Sequence, residues 1–141
     1  MSKRGRRIAF DYGDVRTGVA LCDPDGILAS PLCVLETKSK SFTAEISGLF
    51  TEHEPIAIYV GMPVNMSGST GESAEKVDSF VATLKELSNL PIHLIDERLS
   101  TVSAQKKLKE AGVSSRDSKQ LIDAMAAVAI LEQGLLSENL A

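Results

Sequence analysis

The sequence predicts an α/β fold built on a mixed five-stranded sheet, three antiparallel strands then two parallel strands, with helices on both faces. Three observations predict it. Three apolar runs follow one another closely at the start, joined by short turns, as in an antiparallel meander. A fourth run, Ile56-Ala57-Ile58-Tyr59-Val60, has no polar alternation, which marks a strand covered on both faces, as in a parallel sheet with crossover helices. Segments with helical periodicity alternate with the later strands and close the chain.

Taken in order, residues 8–12, 17–22 and 28–35 read as strands, the last two joined by DPDG, whose Pro and final Gly suit a tight hairpin turn. Phe42, Ile46, Leu49 and Phe50 recur at helical spacing until Pro55 ends the helix before the strand at 56–60. A Gly/Ser/Asn loop, GMPVNMSGSTG, spans 61–71. The next helix carries Val77, Phe80, Val81, Leu84 and Leu87 on one stripe, and Pro91 precedes a fifth strand at 92–96. Two helices follow, at about 101–111, stopped by Gly112, and at about 118–136. Right-handed crossovers follow from this order.

The 141 residues suit one domain over 1–141, with 1–6 as a flexible basic tail and 137–141 as a frayed end. No apolar run approaches the ~18–20 residues that cross a bilayer. The basic MSKRGRR leads into a strand and an Asp rather than a signal-peptide core, so a soluble, cytoplasmic protein without a membrane partner is expected. Cys22 and Cys33 flank the DPDG turn; a hairpin about it sets Cys22 opposite a residue near Ile27, away from Cys33. Two reduced, packed thiols are expected, with neither a disulfide nor the CxxC spacing of a zinc site.

Net charge is −4, yet residues 98–119 hold six basic side chains against Glu110 and Asp117, a local balance of +4, and Lys3, Arg4, Arg6 and Arg7 cluster at the start. A local basic face decides nucleic-acid affinity more than the total does. A solvated helix face plus a loose tail is the plainer account.

Acidic side chains stand out at three places in the chain. Asp11 ends the first strand, Asp96-Glu97 ends the fifth, and Asp123 is the only charged residue between Lys119 and Glu132, in the otherwise apolar QLIDAMAAVAIL. Ala126, Ala127 and Ile130 share its helix face, so the carboxylate points along a surface made for close approach to a sheet. Each has a structural alternative: an Asx turn into Gly13 for Asp11, surface charge for Asp96 and Glu97, a buried salt bridge to Arg98 or Arg16 for Asp123. If the three ends converge, crowded carboxylates need cations, and all-oxygen ligation selects Mg²⁺ or Mn²⁺. A pair of such ions ~3.5–4 Å apart supports in-line cleavage of a phosphodiester. Histidine competes little: His93, within IHLI, reads as a packed strand residue, and His53, between Glu52 and Glu54, as exposed. No Ser-His-Asp or Cys-His set can be assembled by spacing, and GxxxxGK[ST] is absent.

DYGDVRTGVAL at 11–21, VGMPVNMSGSTG at 60–71, IDERLST at 95–101 and DAMAAVAIL at 123–131 together resemble the YqgF/RuvX family of bacterial proteins, over about residues 8–136. The resemblance implies a ribonuclease H-like fold and a metal-dependent nuclease. Maturation of the pre-16S rRNA 5′ end is the first expected role, and resolution of four-way Holliday junctions the alternative. It implies Asp11, Glu97 and Asp123 as catalytic metal ligands holding Mg²⁺ or Mn²⁺, with two ions expected. Between Asp96 and Glu97, which alternation places on opposite faces, it favours Glu97 and leaves Asp96 as a supporting partner. Gly13, Arg16, Asn65, Ser67, Arg98, Thr101 and Lys106 become candidates for contact with a nucleic-acid phosphate. Ser100 stands where many relatives carry Thr.

The partner is accordingly nucleic acid, with pre-rRNA favoured over branched DNA, and the protein a monomer or a homodimer. Few aromatics, 4% with no Trp, argue against reading a strand by base stacking. Two other classes compete. A nucleotide-binding ATPase of the actin and sugar-kinase type would use Asp11, Gly13 and Gly18 but needs two lobes. A non-catalytic ribosome-assembly factor gains nothing from buried negative charge beside phosphates.

Overall fold

The computed structural model describes residues 4–63, 72–97 and 116–140. Its elements are β1 (Arg7–Asp11), β2 (Arg16–Cys22), β3 (Ala29–Glu36), α1 (Phe42–His53), β4 (Ala57–Met62), α2 (Glu72–Leu87), β5 (Ile92–Asp96) and a last helix, α3 (Arg116–Leu140). The strands form one sheet in the order β3-β2-β1-β4-β5. β1, β2 and β3 pair antiparallel, and β4 and β5 add parallel to β1. This is the expected mixed sheet with helices on both faces. The helix expected at 101–111 lies outside the described residues.

Alternation along the strands assigns each face. Ile8 and Phe10 on β1, Val19 on β2 and Ile58 and Val60 on β4 point to α1 and α2, where they pack with Phe42, Ile46, Val77, Phe80 and Leu84. Ala9, Ala20 and Tyr59 point the other way and meet the alanine-rich face of α3. Small residues on both sides of that second interface let helix and sheet approach closely. Gly134 is an example: a Cβ there would stand 2.6 Å from the Tyr59 ring.

The aromatic residues belong to the core. Phe10 meets Phe50 and Phe80 edge-on, Tyr12 stacks on Phe80 at 4.7 Å, Phe42 completes the cluster, and Tyr59 lies beside His93 at 5.3 Å. All six aromatic side chains of the chain are thus engaged within the fold.

Several expectations are corrected. DPDG does turn, with Gly26 N–H donating to Asp23 O at 3.0 Å, but the connection runs on through Leu28, so Cys22 pairs with Ala29 rather than a residue near Ile27, and Cys33 with Val19. The cause is Asp23, whose carboxylate accepts the N–H groups of Ile27 (2.7 Å) and Leu28 (3.3 Å) and nucleates a longer loop, with Gly26 at φ +69°. The Ile27 bond, more than any other contact, holds the Asp23 carboxyl below the usual range. Both cysteines are free, and burial raises both thiols, which keeps them protonated and poor nucleophiles. Helix α1 stops at His53 because Glu54 turns left-handed (φ 47°), one residue before Pro55.

The expected tail is anchored from residue 4 onward. Arg4 pairs with Asp25 at 2.8 Å, Gly5 N–H donates to Pro24 O at 2.7 Å, and Arg6 O accepts from Ile56 N–H at 2.8 Å. Arg7 is 1% exposed. Its guanidinium donates to Gly5 O and pairs with Glu138 at 3.0 Å, and Glu138 also accepts the Tyr59 hydroxyl. The far end is therefore helical to Leu140 rather than frayed from 137. His93 lies on β5 as expected but is exposed, because β5 is the outer strand among the described residues. His53, expected exposed, is half-buried, with Glu52 at 3.6 Å.

Candidate active site

Burial is costly for a carboxylate, so the buried ones are informative. Among the described residues the acidic side chains in the buried class are Asp11, Glu97 and Asp123, at 5%, 7% and 4% exposure. They are the three that the sequence singled out. Asp11 closes β1, Glu97 follows β5, and Asp123 sits about two turns into α3, beyond the reach of the helix dipole.

The sheet register explains how they share one region. β1 is the central strand, and Asp11 pairs with Gly18 on β2. The β1–β4 register, which sets Phe10 beside Val60, carries on to set Asp11 beside Gly61. Asp11 is therefore flanked on both sides by residues without side chains. A Cβ at Gly18 would overlap the Asp123 carbonyl oxygen, so α3 rests directly on the β2 backbone there. A Cβ at Gly61 would stand 2.5 Å from Ile130 Cδ1 and 3.1 Å from Glu97 Oε1, so Glu97 reaches over Gly61 from the outer strand. The two glycines admit one carboxylate-bearing segment on each side of Asp11. Gly61 was expected in the loop and instead lies in β4, which runs to Met62.

Arg16, the first residue of β2, donates its Nε–H to Asp123 Oδ2 at 2.6 Å. The salt bridge considered for Asp123 is thus real, and its partner is Arg16. The turn that delivers Arg16 depends on Gly13, where a Cβ would stand 2.5 Å from Arg16 O. Asp96, paired in register with Met62, is only partly buried, as its opposite phase to Glu97 requires. Asn65, Ser67, Arg98, Thr101 and Lys106 lie outside the described residues. A cleft of about 210 Å³ opens at this end of the sheet, between Glu97, the turn at Tyr12, Gly13 and Asp14, and Lys76 of α2. Lys76, bound to Asp14 at 3.0 Å, is a cation at the site that sequence reasoning missed. Only its place on the first turns of a helix that follows a parallel strand could have signalled it.

Three carboxylates are an all-oxygen donor set, which suits a hard divalent cation and not zinc. Among the described residues, no group of three or more His, Cys, Asp or Glu side chains stands close enough to enclose an ion as they are placed. Arg16 holds one oxygen of Asp123 in this arrangement. Donor chemistry fits such a cation.

The mixed 3-2-1-4-5 sheet with helices on both faces is a ribonuclease H-like fold, and it carries buried carboxylates at the ends of the central and outer parallel strands and a third on a helix across the face. The chain belongs to the RuvX family: the family model, described as Holliday junction resolvase, matches residues 5–137. A Streptomyces coelicolor protein named "Putative pre-16S rRNA nuclease" is 43% identical over 139 residues, covering 97% of this chain and 83% of the relative. Proteins of the same name from Streptomyces avermitilis and Mycobacterium leprae are 42% identical over 139 and 135 residues, covering 97% and 94% of this chain and 89% and 73% of theirs. Among solved structures, Thermus thermophilus RuvC in complex with a Holliday junction substrate superposes with a TM-score of 0.62 at 15% identity, covering 96% of each chain. At that identity the likeness is one of fold.

Proposed function

We propose that this protein is a divalent-metal-dependent nuclease that hydrolyses a phosphodiester during 5′-end maturation of pre-16S rRNA in the cytoplasm. The observation that carries the reading is the burial of three carboxylates, Asp11, Glu97 and Asp123, at one end of the sheet, where each is costly to bury. The names of the relatives agree with the reading.

Asp11, Glu97 and Asp123 are the residues that would hold Mg²⁺ or Mn²⁺, with two ions expected. When bound, such a pair supplies activation of a water and neutralisation of the leaving oxygen. The chain's own residues do the rest. Gly13 keeps the turn beside Asp11 narrow, so that a phosphate can approach the carboxylates. Arg16 orients Asp123 and presents further N–H donors to the phosphate, and Lys76 adds positive charge across the cleft. Asn65, Ser67, Arg98, Thr101 and Lys106 extend the phosphate contacts, and Asp96 supports the turn that carries Glu97.

The alternative, resolution of four-way DNA junctions, is favoured by the description of the family model. It demands a symmetric dimer, since two strands must be cut in concert. The test is incubation of the purified protein with Mg²⁺ or Mn²⁺ on a pre-16S 5′ leader, a generic single-stranded RNA and a four-way DNA junction, with the mass in solution measured alongside. Cleavage of the leader that disappears in Asp11→Asn supports the proposal, whereas cleavage of the junction alone by a dimer replaces it with the alternative. Tight RNA binding without any cleavage identifies a non-catalytic assembly factor.

A further inference from the structure

Arg16 faces two ways. Its Nε–H is held by Asp123, and its side chain also lines a second cavity, of about 350 Å³, on the β2–β3 side of the carboxylates. That volume is near the lower end of the ~300–1,000 Å³ typical of small-ligand sites. The cavity is lined by the aliphatic residues Val15, Val34 and Leu35 and by the polar residues Arg16, Glu36, Lys38 and Ser39. Hydrogen bonds brace the segments that line it. Thr37 N–H donates to Val15 O at 3.0 Å, the Thr17 and Thr37 hydroxyls meet at 2.8 Å, and Ser39 N–H donates to Glu36 O at 3.1 Å. Val15 is nonetheless 63% exposed, an apolar side chain held at the mouth of a preformed cavity.

We infer that this cavity receives one unpaired nucleotide of the substrate strand, next to the phosphate being cut; the inference rests on the nuclease reading above. Charge and shape select the ligand. Arg16 and Lys38 suit a phosphate, and one bond to Asp123 uses only one of the five guanidinium N–H donors. The aliphatic lining residues suit a ribose or the face of any base, and Glu36 can accept from a ribose 2′-hydroxyl or an exocyclic amine. With every aromatic side chain engaged within the fold, the pocket tolerates any base rather than reading one. A nucleotide stacked and paired in a duplex cannot enter without being extruded, which costs a few kcal/mol. The site therefore prefers a strand that is already single beside the cut. Arg16 ties this preference to chemistry, since the side chain that grips the incoming nucleotide also sets the position of Asp123.

The test measures binding of a fluorescent single-stranded RNA by anisotropy without divalent metal, and cleavage of the same RNA with Mn²⁺. A single abasic ribonucleotide is walked through the sequence. In wild type, one abasic position beside the cut should weaken binding several-fold while the others do not. Lys38→Glu should weaken binding about tenfold and flatten its salt dependence by about one phosphate contact. Val15→Trp, which fills the mouth from an exposed position, should erase the abasic effect; unchanged melting temperatures check that both variants fold. A flat abasic scan in wild type, wild-type affinity in both variants, or equal cleavage of fully paired RNA overturns the inference while leaving the nuclease reading intact. If wild type neither binds nor cleaves RNA, the nuclease reading fails and the inference fails with it.

Discussion

Replacing Arg16 with Gln tests how the buried Asp123 is tolerated. Removing one partner of a buried ion pair costs roughly 3–5 kcal/mol, because the remaining charge keeps its desolvation without its counter-ion. Asp123 meets that condition with a side chain 6% exposed, but the Arg16 side chain is 27% exposed, so water reaches the pair and the cost falls to about 2 kcal/mol. For a chain of this size that is a fall in Tm of roughly 4–8 °C. Asp123→Asn alone removes the charge that needs Arg16. The double variant should therefore be more stable than the sum of the single losses predicts, with a coupling of about 1–2 kcal/mol. Denaturant unfolding of all four proteins measures it, and additivity within ~0.3 kcal/mol would refute the claim that Arg16 holds Asp123. Mn²⁺ supplies a second arm. If the cation takes the place of Arg16 at Asp123, saturating Mn²⁺ should raise the Tm of Arg16→Gln more than that of wild type. Equal shifts would mean that the two positive charges do not compete for this carboxylate.

Gly18→Ala forces a methyl against the Asp123 carbonyl oxygen and should cost at least ~1–3 kcal/mol in denaturant unfolding, as overpacking does. Gly48→Ala, on the exposed face of α1 with nothing within 4 Å, should instead stabilise by about 0.5–1 kcal/mol in the same assay. Burial, and then the hydrogen bond to Glu138, raise the Tyr59 phenol far above its ordinary value of 10.0. The proton is retained in the folded state while the unfolded chain ionises. Its contribution is therefore complete below about pH 10 and is lost as pH rises beyond it. The 295 nm phenolate signal of wild type minus Tyr59→Phe should accordingly appear only as the protein unfolds. Asp11→Asn should abolish cleavage yet leave metal-free stability unchanged or raised, since it removes one of three neighbouring negative charges; a large loss of stability would assign Asp11 a structural role.

The carboxylates were legible because each breaks a local rule. Asp123 is a charge in an apolar helix, and Asp11 is a charge at the end of an apolar strand. Glu97 was harder, because alternation separates it from Asp96 without saying which faces inward; the resemblance favoured Glu97, and its burial against Gly61 agrees. Gly18 and Gly61 gave no signal, since their value lies in what crosses over them from α3 and β5. Arg7 was misread for a related reason. In a cluster of basic residues at the start of the chain it looks like part of a tail, and its partner Glu138 is 131 positions away. Local periodicity cannot show a pair that only tertiary packing creates. The β2–β3 loop was read too short: DPDG turns as expected, but the Asp23 side chain also captures the N–H groups of Ile27 and Leu28 farther along.

The same two ion pairs set an order of events. Arg7 meets Glu138 across 131 positions and Arg16 meets Asp123 across 107, and in both the later partner lies on α3. A nascent chain threading out of the ribosome can pair β1 with β2 and β3 early, but it carries Arg7, Asp11 and Arg16 with their α3 counterparts still unmade. Asp123 and the arginine that seats it therefore meet only once α3 has been made and rests on the sheet. The third buried carboxylate thus joins Asp11 and Glu97 in a single step, with the docking of one helix.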